Sequence, residues 1–80
     1  MRTTDAVLES LREARRNDRL RGVGAIDGWR SLRVVLAHAR TRAGRPALTE
    51  EAVRRALVAL ASRELVEERP GHPGTWRARA

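Results

Sequence analysis

Residues 49–80 restrict the fold more than any other part of the chain, because they change abruptly from helical to extended spacing. The first part of this segment carries one apolar helical stripe, formed by Val53, Ala56, Leu57, Leu60 and Ala61. Thr49 is expected to cap this helix ahead of two glutamates, which suit the positive end of the helix dipole. The pattern predicts a helix over about 49–63.

Two extended runs joined by a tight turn follow this helix. The first run opens at Leu65, and residues 70–74 (PGHPG) can only form a turn. The second run alternates from Thr75 onward, and one of its faces carries Trp76, Ala78 and Ala80. Because Trp76 is in phase with the alanines, its ring is expected to pack in the core rather than to stack on bases. The segment predicts a hairpin over about 65–79.

The N-terminal half predicts two more helices. The first is expected over about 5–17, capped by Thr3 or Thr4. Its outer face is expected to form salt bridges without a further function, and consists of Glu9, Arg12, Glu13 and Arg16. Residues 20–26 (LRGVGAI) predict a loop that passes into a very short strand.

The second helix is expected over about 28–42, with Asp27 as its cap. Its buried face is predicted to contain Trp29, Leu32, Val35, Leu36 and Ala39. Pro46 disfavours helix at Arg45, so residues 43–48 are expected to form a turn. The order of elements predicts one mostly α domain over 1–80 with a small β-hairpin, an α+β fold of the three-helix winged helix-turn-helix type.

Two segments carry a resemblance to known families. Residues 53–60 (VRRALVAL), followed by Leu-Val at 65–66, resemble the recognition helix and first wing strand of GntR-like bacterial repressors. Residues 70–77 (PGHPGTWR) are similar to the wing of Z-alpha domains, in which a proline precedes a wing tryptophan. This resemblance covers about two-fifths of the chain and implies a winged helix-turn-helix DNA-binding domain.

The chain departs from these families at three places. Glu64 stands where a glycine usually ends the third helix, so a residue with a side chain must manage that turn. The connection of about six residues between the second and third helices is longer than the tight turn of the strict motif. The characteristic Asn and Tyr of Z-alpha domains fall on Arg54 and Val58, so specialisation for left-handed duplexes is not expected.

The charge of the chain predicts a polyanionic partner. The formal net charge is +7, and all 17 basic residues are arginine. Residues 29–46 contain five arginines and no acid, whereas residues 47–68 contain three arginines and five glutamates. The resemblance therefore predicts phosphate contacts on the second helix, its following turn and the wing, through Arg30, Arg33, Arg40, Arg42, Arg45, His72, Arg77 and Arg79. The alternative is that these residues only make the surface soluble.

The third helix would then enter the major groove. Its candidate base-contacting residues, on the side away from the core, are Thr49, Glu51, Arg54, Arg55, Val58 and Ser62. Arg54 and Arg55 are the foremost of these, but the neighbouring Glu50 and Glu51 would repel phosphates. Base contact and a merely solvated helix surface both remain open.

The composition argues against several other classes of protein. The chain has no cysteine, and its two histidines lack ligand spacing, so no metal or cofactor is expected. No nucleophile with an assisting base and no phosphate-binding glycine loop is visible, so an enzyme is not expected. No apolar run approaches the roughly 20 residues that span a bilayer, and no signal peptide is visible. A cytoplasmic, nucleoid-associated location without membrane contact is expected.

These observations predict sequence-specific binding of double-stranded DNA by a small transcriptional regulator of bacterial, phage or plasmid type. A homodimer would use residues 5–17 or the exposed strip formed by Val34, Ala37 and Thr41. The alternative is a winged helix that serves as a protein–protein adaptor or inhibitor, which the acidic start of the third helix favours. The salt dependence of duplex binding separates the two hypotheses.

Overall fold

The structure, a computed structural model, describes residues 1–22, 24 and 26–79. Its elements in chain order are α1 (Thr3–Leu20), β1 (Arg30–Ser31), α2 (Leu32–Ala43), α3 (Glu50–Ser62), β2 (Val66–Glu68) and β3 (Thr75–Ala78). The strands form one antiparallel sheet in the order β1-β3-β2, so that β3 lies in the middle. Three helices with this sheet make an α+β, winged-helix-like fold, which confirms the predicted fold class.

One hydrophobic core joins the three helices to one face of the sheet. The largest fully buried side chains are Val7, Leu11, Val35, Val53, Leu57, Leu60 and Val66. From the sheet, Trp76 and Ala78 enter the same core, and Trp76 is only 8% exposed. The alternation in β3 therefore predicted the burial of the Trp76 ring correctly.

The second helix begins four residues later than predicted, at Leu32. Arg30 and Ser31 are extended because they pair with Trp76 and Thr75 of β3, and a helix cannot include a residue held in a sheet. Ser31 is the N-cap, since its hydroxyl accepts a hydrogen bond from the Val34 amide at 3.4 Å.

Asp27 does not cap the second helix, and the short strand does not lie within residues 20–26. Asp27 has a left-handed φ of 38° and lies ahead of β1, outside the helix. The strand follows it at Arg30–Ser31, where β3 offers a pairing edge. Within the predicted loop, Val23 and Ala25 lie outside the described residues.

Trp29 is not a core residue, which corrects the prediction made from a helical stripe. It precedes β1 and is half-buried. The guanidinium carbon of Arg77 lies 4.3 Å from the centroid of the Trp29 ring, and that of Arg69 lies 5.7 Å away. The Trp29 ring therefore packs against the guanidinium groups of Arg77 and Arg69. It does not enter the core because α2 begins only at Leu32, so Trp29 is not part of the helical stripe that faces the core.

The first helix is longer than predicted, spanning Thr3–Leu20 rather than about 5–17. Neither threonine is its cap; Arg2 occupies the N-cap position and makes no side-chain capping bond. At the other end, the helix includes Asp18, whose carboxylate is held by Arg30 and by the amide of Gly28. These hydrogen bonds stabilise the last turn of α1, where the sequence does not continue the apolar stripe that predicted the helix.

The third helix and the hairpin lie close to their predicted positions. The Thr49 hydroxyl accepts from the Ala52 amide at 3.1 Å, so the predicted cap is confirmed. Glu64 has a φ of 59°, so a residue with a side chain does take the left-handed turn after α3. The Glu68 carboxylate accepts from the Gly74 amide at 2.8 Å and closes the hairpin turn. Ala80, predicted to share the Trp76 face, lies outside the described residues.

A buried ion pair joins the end of α1 to β1. Arg30 donates to both carboxylate oxygens of Asp18, at 2.7 and 2.8 Å, and Asp18 is only 5% exposed. The hydrogen bond from Arg30 is the main reason that the pKa of Asp18 lies below its ordinary value of 3.8; burial opposes this shift. A lowered pKa contributes stability above the unfolded-state pKa of about 3.9, and this contribution is lost as the pH falls through the folded-state value.

Asp18→Asn is expected to lower the free energy of unfolding at neutral pH by about 2–3 kcal/mol, because Arg30 loses its charged acceptor. The variant should also lose less stability than the native protein when the pH falls below about 4. Urea denaturation at neutral and acidic pH measures both effects. Glu13→Gln is the control, since Glu13 pairs with Arg42 at the surface and should matter by less than about 1 kcal/mol. Equal losses in the two variants would contradict the role given to Asp18.

Candidate nucleic-acid interface

The outer face of α3 is open to solvent along the whole helix. The core stripe directs Val53, Leu57 and Leu60 inward, which leaves the opposite side uncovered. This α3 face consists of Glu51, Arg54, Arg55, Val58, Ala59 and Ser62, all of them exposed. Val58 is 59% exposed, which is unusual for a valine and places an apolar side chain in the middle of the face. Five of the six predicted base-contacting residues therefore lie on this face, and the sixth, Thr49, is the exposed N-cap of the same helix.

The two arginines of the α3 face form ion pairs along their own helix. Arg55 Nη2 lies 2.9 Å from Glu51 Oε1, and Arg54 Nη2 lies 3.4 Å from Glu50 Oε1. More than half of each of these side chains is exposed. Exposed pairs at this spacing contribute only about 0.3–0.5 kcal/mol, so either arginine can turn to another acceptor at small cost. Together with Glu50, which adjoins it, the face carries two glutamates and two arginines and is electrically neutral.

An open crevice separates α3 from the hairpin. It has a volume of about 470 Å³ and is lined by Leu32, Arg54, Val58, Glu68, Pro73, Gly74 and Trp76. Among the described residues that line it, the charged side chains are Arg54 and Glu68, on opposite walls. His72 lies exposed at the tip of the turn beside it. The helix and the hairpin thus form the two sides of one concave surface.

The predicted phosphate-contacting arginines of α2 and the following turn have different surroundings. Arg30 is used in the buried pair with Asp18. Arg40 donates through Nε to the Leu48 carbonyl at 2.8 Å, Arg42 pairs with Glu13, and Arg45 Nη1 donates to the Thr3 hydroxyl at 2.9 Å. Arg33 is exposed and forms no ion pair within residues 1–22, 24 and 26–79.

Arg77 of β3 and Arg79, which follows this strand, also differ from each other. Arg77 is 22% exposed and lies between Asp27, at 2.8 Å from Nη1, and Glu67, at 2.9 Å from Nη2. Its guanidinium also covers the Trp29 ring, so it joins the loop before β1 to the sheet. Arg79 is 52% exposed, and its Nη1 lies 3.7 Å from Glu67. Only Arg79 is free enough to meet a ligand without breaking tight internal contacts.

A group of arginines on α1 was not predicted as a site, although Arg12 and Arg16 were expected on the outer face of this helix. Arg12, Arg15, Arg16 and Arg19 follow each other at i, i+3, i+4 and i+7, and they line a hollow of about 190 Å³ together with Ala78 and Arg79. Their spacing was visible in the sequence. It was overlooked because residues 1–28 contain six arginines and five acids, which suggested a balanced surface.

The strip predicted as a dimer surface is exposed. Val34 is 38% exposed, and Ala37 and Thr41 lie on the same side of α2. Thr41 also borders a hollow formed with Glu13, His38 and Arg42. The strip is narrow, and charged side chains flank it.

Comparison of the chain with protein-family models, with curated proteins and with solved structures gives no match. No helix in the described part of the chain is long and apolar enough to cross a membrane. The class of protein is therefore defined by its fold alone, as winged-helix-like.

Proposed function

We propose that the protein binds double-stranded DNA, with α3 in the major groove and the hairpin alongside, as a small transcriptional regulator. The observation that carries the proposal is the uncovered α3 face, which has the hairpin as a second wall beside it. A major groove of B-DNA is wide enough for one α-helix. A net charge of +7 supplies attraction to the phosphate backbone.

In this proposal Arg54 and Arg55 exchange their glutamate partners for base edges or phosphates. Arg33, Arg45 and His72, which lie at the surface, supply phosphate contacts, with Arg40 and Arg42 at the far end of α2. Arg30 and Arg77 act indirectly, because the Arg30–Asp18 pair joins β1 to α1 and the Arg77–Asp27 pair joins the loop before β1 to the sheet. Affinity would thus come mainly from residues outside α3, and specificity from α3.

Arg55→Gln is expected to weaken binding to a preferred duplex by about 1–3 kcal/mol and to affect a random duplex much less. Arg33→Gln should weaken binding to both duplexes alike and reduce the salt slope by about one unit. The preferred duplex is first selected from a random pool, and binding isotherms at several salt concentrations then compare the variants. If Arg55→Gln leaves the preference intact, α3 does not contact the bases.

A second candidate function is docking to another protein through the α3 face. The observation that favours it is the balance of charge around the exposed Val58, where Glu51 and the adjoining Glu50 pair with the two arginines of the face. A neutral, partly apolar helix face suits a protein partner better than a phosphate backbone. Failure of the native protein to bind any duplex at moderate salt would favour this candidate.

A further inference from the structure

A second positively charged surface lies on α1, away from the α3 face. We call it the α1/β3 arginine cluster, and it consists of Arg12, Arg15, Arg16, Arg19 and Arg79. Four of its members come from successive turns of one helix and the fifth from the end of β3, so that guanidinium groups surround a small hollow from two elements. The hollow, of about 190 Å³, has room for a group of the size of a phosphate.

Arg15 forms the floor of this cluster. Its Nη1 donates to the Ala78 carbonyl at 2.6 Å and its Nη2 to Asp27 at 3.3 Å, while its side chain is only 13% exposed. The Nε atom of Arg15 is buried and has no hydrogen-bond partner among the described residues. Arg15 therefore fixes β3 against α1, and the guanidinium retains one unused donor.

The other four arginines are exposed and loosely held. Their nearest carboxylate oxygens lie at 3.5 Å for Arg12, 3.6 Å for Arg19 and 3.7 Å for Arg79. Arg16 forms no ion pair in the described part of the chain. By contrast, the internal pairs of Arg30 and Arg77 measure 2.7 and 2.8 Å. An incoming anion would therefore compete only with weak, solvent-screened contacts.

The charges around the hollow do not balance. The five arginines of the cluster and the adjoining Arg77 share three carboxylates, those of Glu9, Asp27 and Glu67, which leaves an excess of three positive charges. Two further acids of α1 point elsewhere, since Asp18 is buried with Arg30, and Glu13 pairs with Arg42. A segment with nearly balanced composition thus folds into a surface with a concentrated positive charge.

We propose that the α1/β3 arginine cluster binds phosphate groups of a nucleic-acid backbone, independently of α3. Planar guanidinium groups bind phosphate oxygens in pairs, and several of them around one hollow suit a chain of phosphates rather than a single carboxylate. The buried faces of α1 and α3 pack against a common core, so their exposed faces point in different directions. A duplex on the α3 face leaves the cluster open, and one molecule can hold two duplexes together.

The test uses the double variant Arg16→Gln/Arg19→Gln, because glutamine keeps the helix propensity of arginine. Arg2→Gln/Arg63→Gln is the matched control, since it removes two exposed charges that belong to neither surface. On a random-sequence duplex, the cluster variant should reduce the salt slope by about two units relative to the control. Two duplexes carrying donor and acceptor dyes should show energy transfer with native protein and control, and lose it with the cluster variant.

The holding of two duplexes by one molecule rests on the proposed function, because the second duplex lies on the α3 face. A third variant, Arg54→Gln/Arg55→Gln, therefore separates the two proposals. If the α3 variant keeps the native preference for the selected duplex over random duplex, and the cluster variant loses energy transfer, the cluster is supported and the α3 proposal fails. If the cluster variant matches the control in salt slope and energy transfer, the inference is overturned and the α3 proposal stands. Binding of polyglutamate with no binding of duplex would also overturn it, in favour of an acidic protein partner.

Discussion

Replacing Trp76 with alanine is expected to lower the free energy of unfolding by about 3–5 kcal/mol. Trp76 lies on the middle strand, where its backbone pairs with Arg30 on one side and with Glu68 on the other. Its ring is buried in the core that joins the sheet to the helices. A domain of this length has a total stability of roughly 4–12 kcal/mol, so the variant should be near or beyond the limit of folding.

Urea denaturation followed by circular dichroism measures this loss, and Trp29 remains as a fluorescent probe in the variant. Val58→Ala is the control, because Val58 is the most exposed large apolar residue of α3 and should change stability by less than about 0.5 kcal/mol. A Trp76→Ala variant that unfolds like the native protein but loses affinity for duplex would contradict a core role. The ring would then be a ligand contact at the wall of the crevice.

Gly28→Ala is expected to lower the free energy of unfolding by about 2–5 kcal/mol, for two reasons. Gly28 has a φ of 85°, a conformation that residues with a side chain rarely adopt. A Cβ atom there would also lie 2.7 Å from Cβ and 2.9 Å from Cα of Arg15. The Cα atom belongs to the backbone of α1, so a change of side-chain rotamer cannot relieve this contact. The substitution would push the loop off α1 and disturb the hydrogen bond from the Gly28 amide to Asp18.

Gly44→Ala separates the two reasons. Gly44 also has a left-handed φ, of 63°, but a Cβ atom there would have no neighbour within 4 Å. This control should cost only about 1–2 kcal/mol, which is the conformational part alone. Denaturation curves of the two variants give the difference that belongs to the contact with Arg15. Equal losses would mean that the close approach of this loop to α1 does not constrain the fold.

The part of the candidate interface that lies on α3 could be predicted from the sequence, because its residues belong to a single helix. The spacing that buries Val53 and Leu57 places Arg55 and Val58 on the opposite side without any knowledge of the tertiary structure. The arginines of β1 and β3 were not predictable in this way. Arg30 and Arg77 belong to the same charge pattern as Arg33 and Arg79, yet they are held by Asp18 and Asp27. The sequence does not indicate which acid an arginine will pair with when the two residues lie far apart in the chain.

The sequence by itself determined α3, its Thr49 cap, the hairpin and the burial of Trp76. Each of these depends on residues a few positions apart, where spacing, capping and turn chemistry act directly. Only the tertiary structure decided that Arg30 and Ser31 are extended, that Trp29 lies under Arg77, and that α1 continues to Leu20. It also decided which acids turn inward and leave the α1/β3 arginine cluster with its positive charge. These features depend on contacts between residues far apart in the chain, and such contacts exist only once the sheet and the helices have packed together.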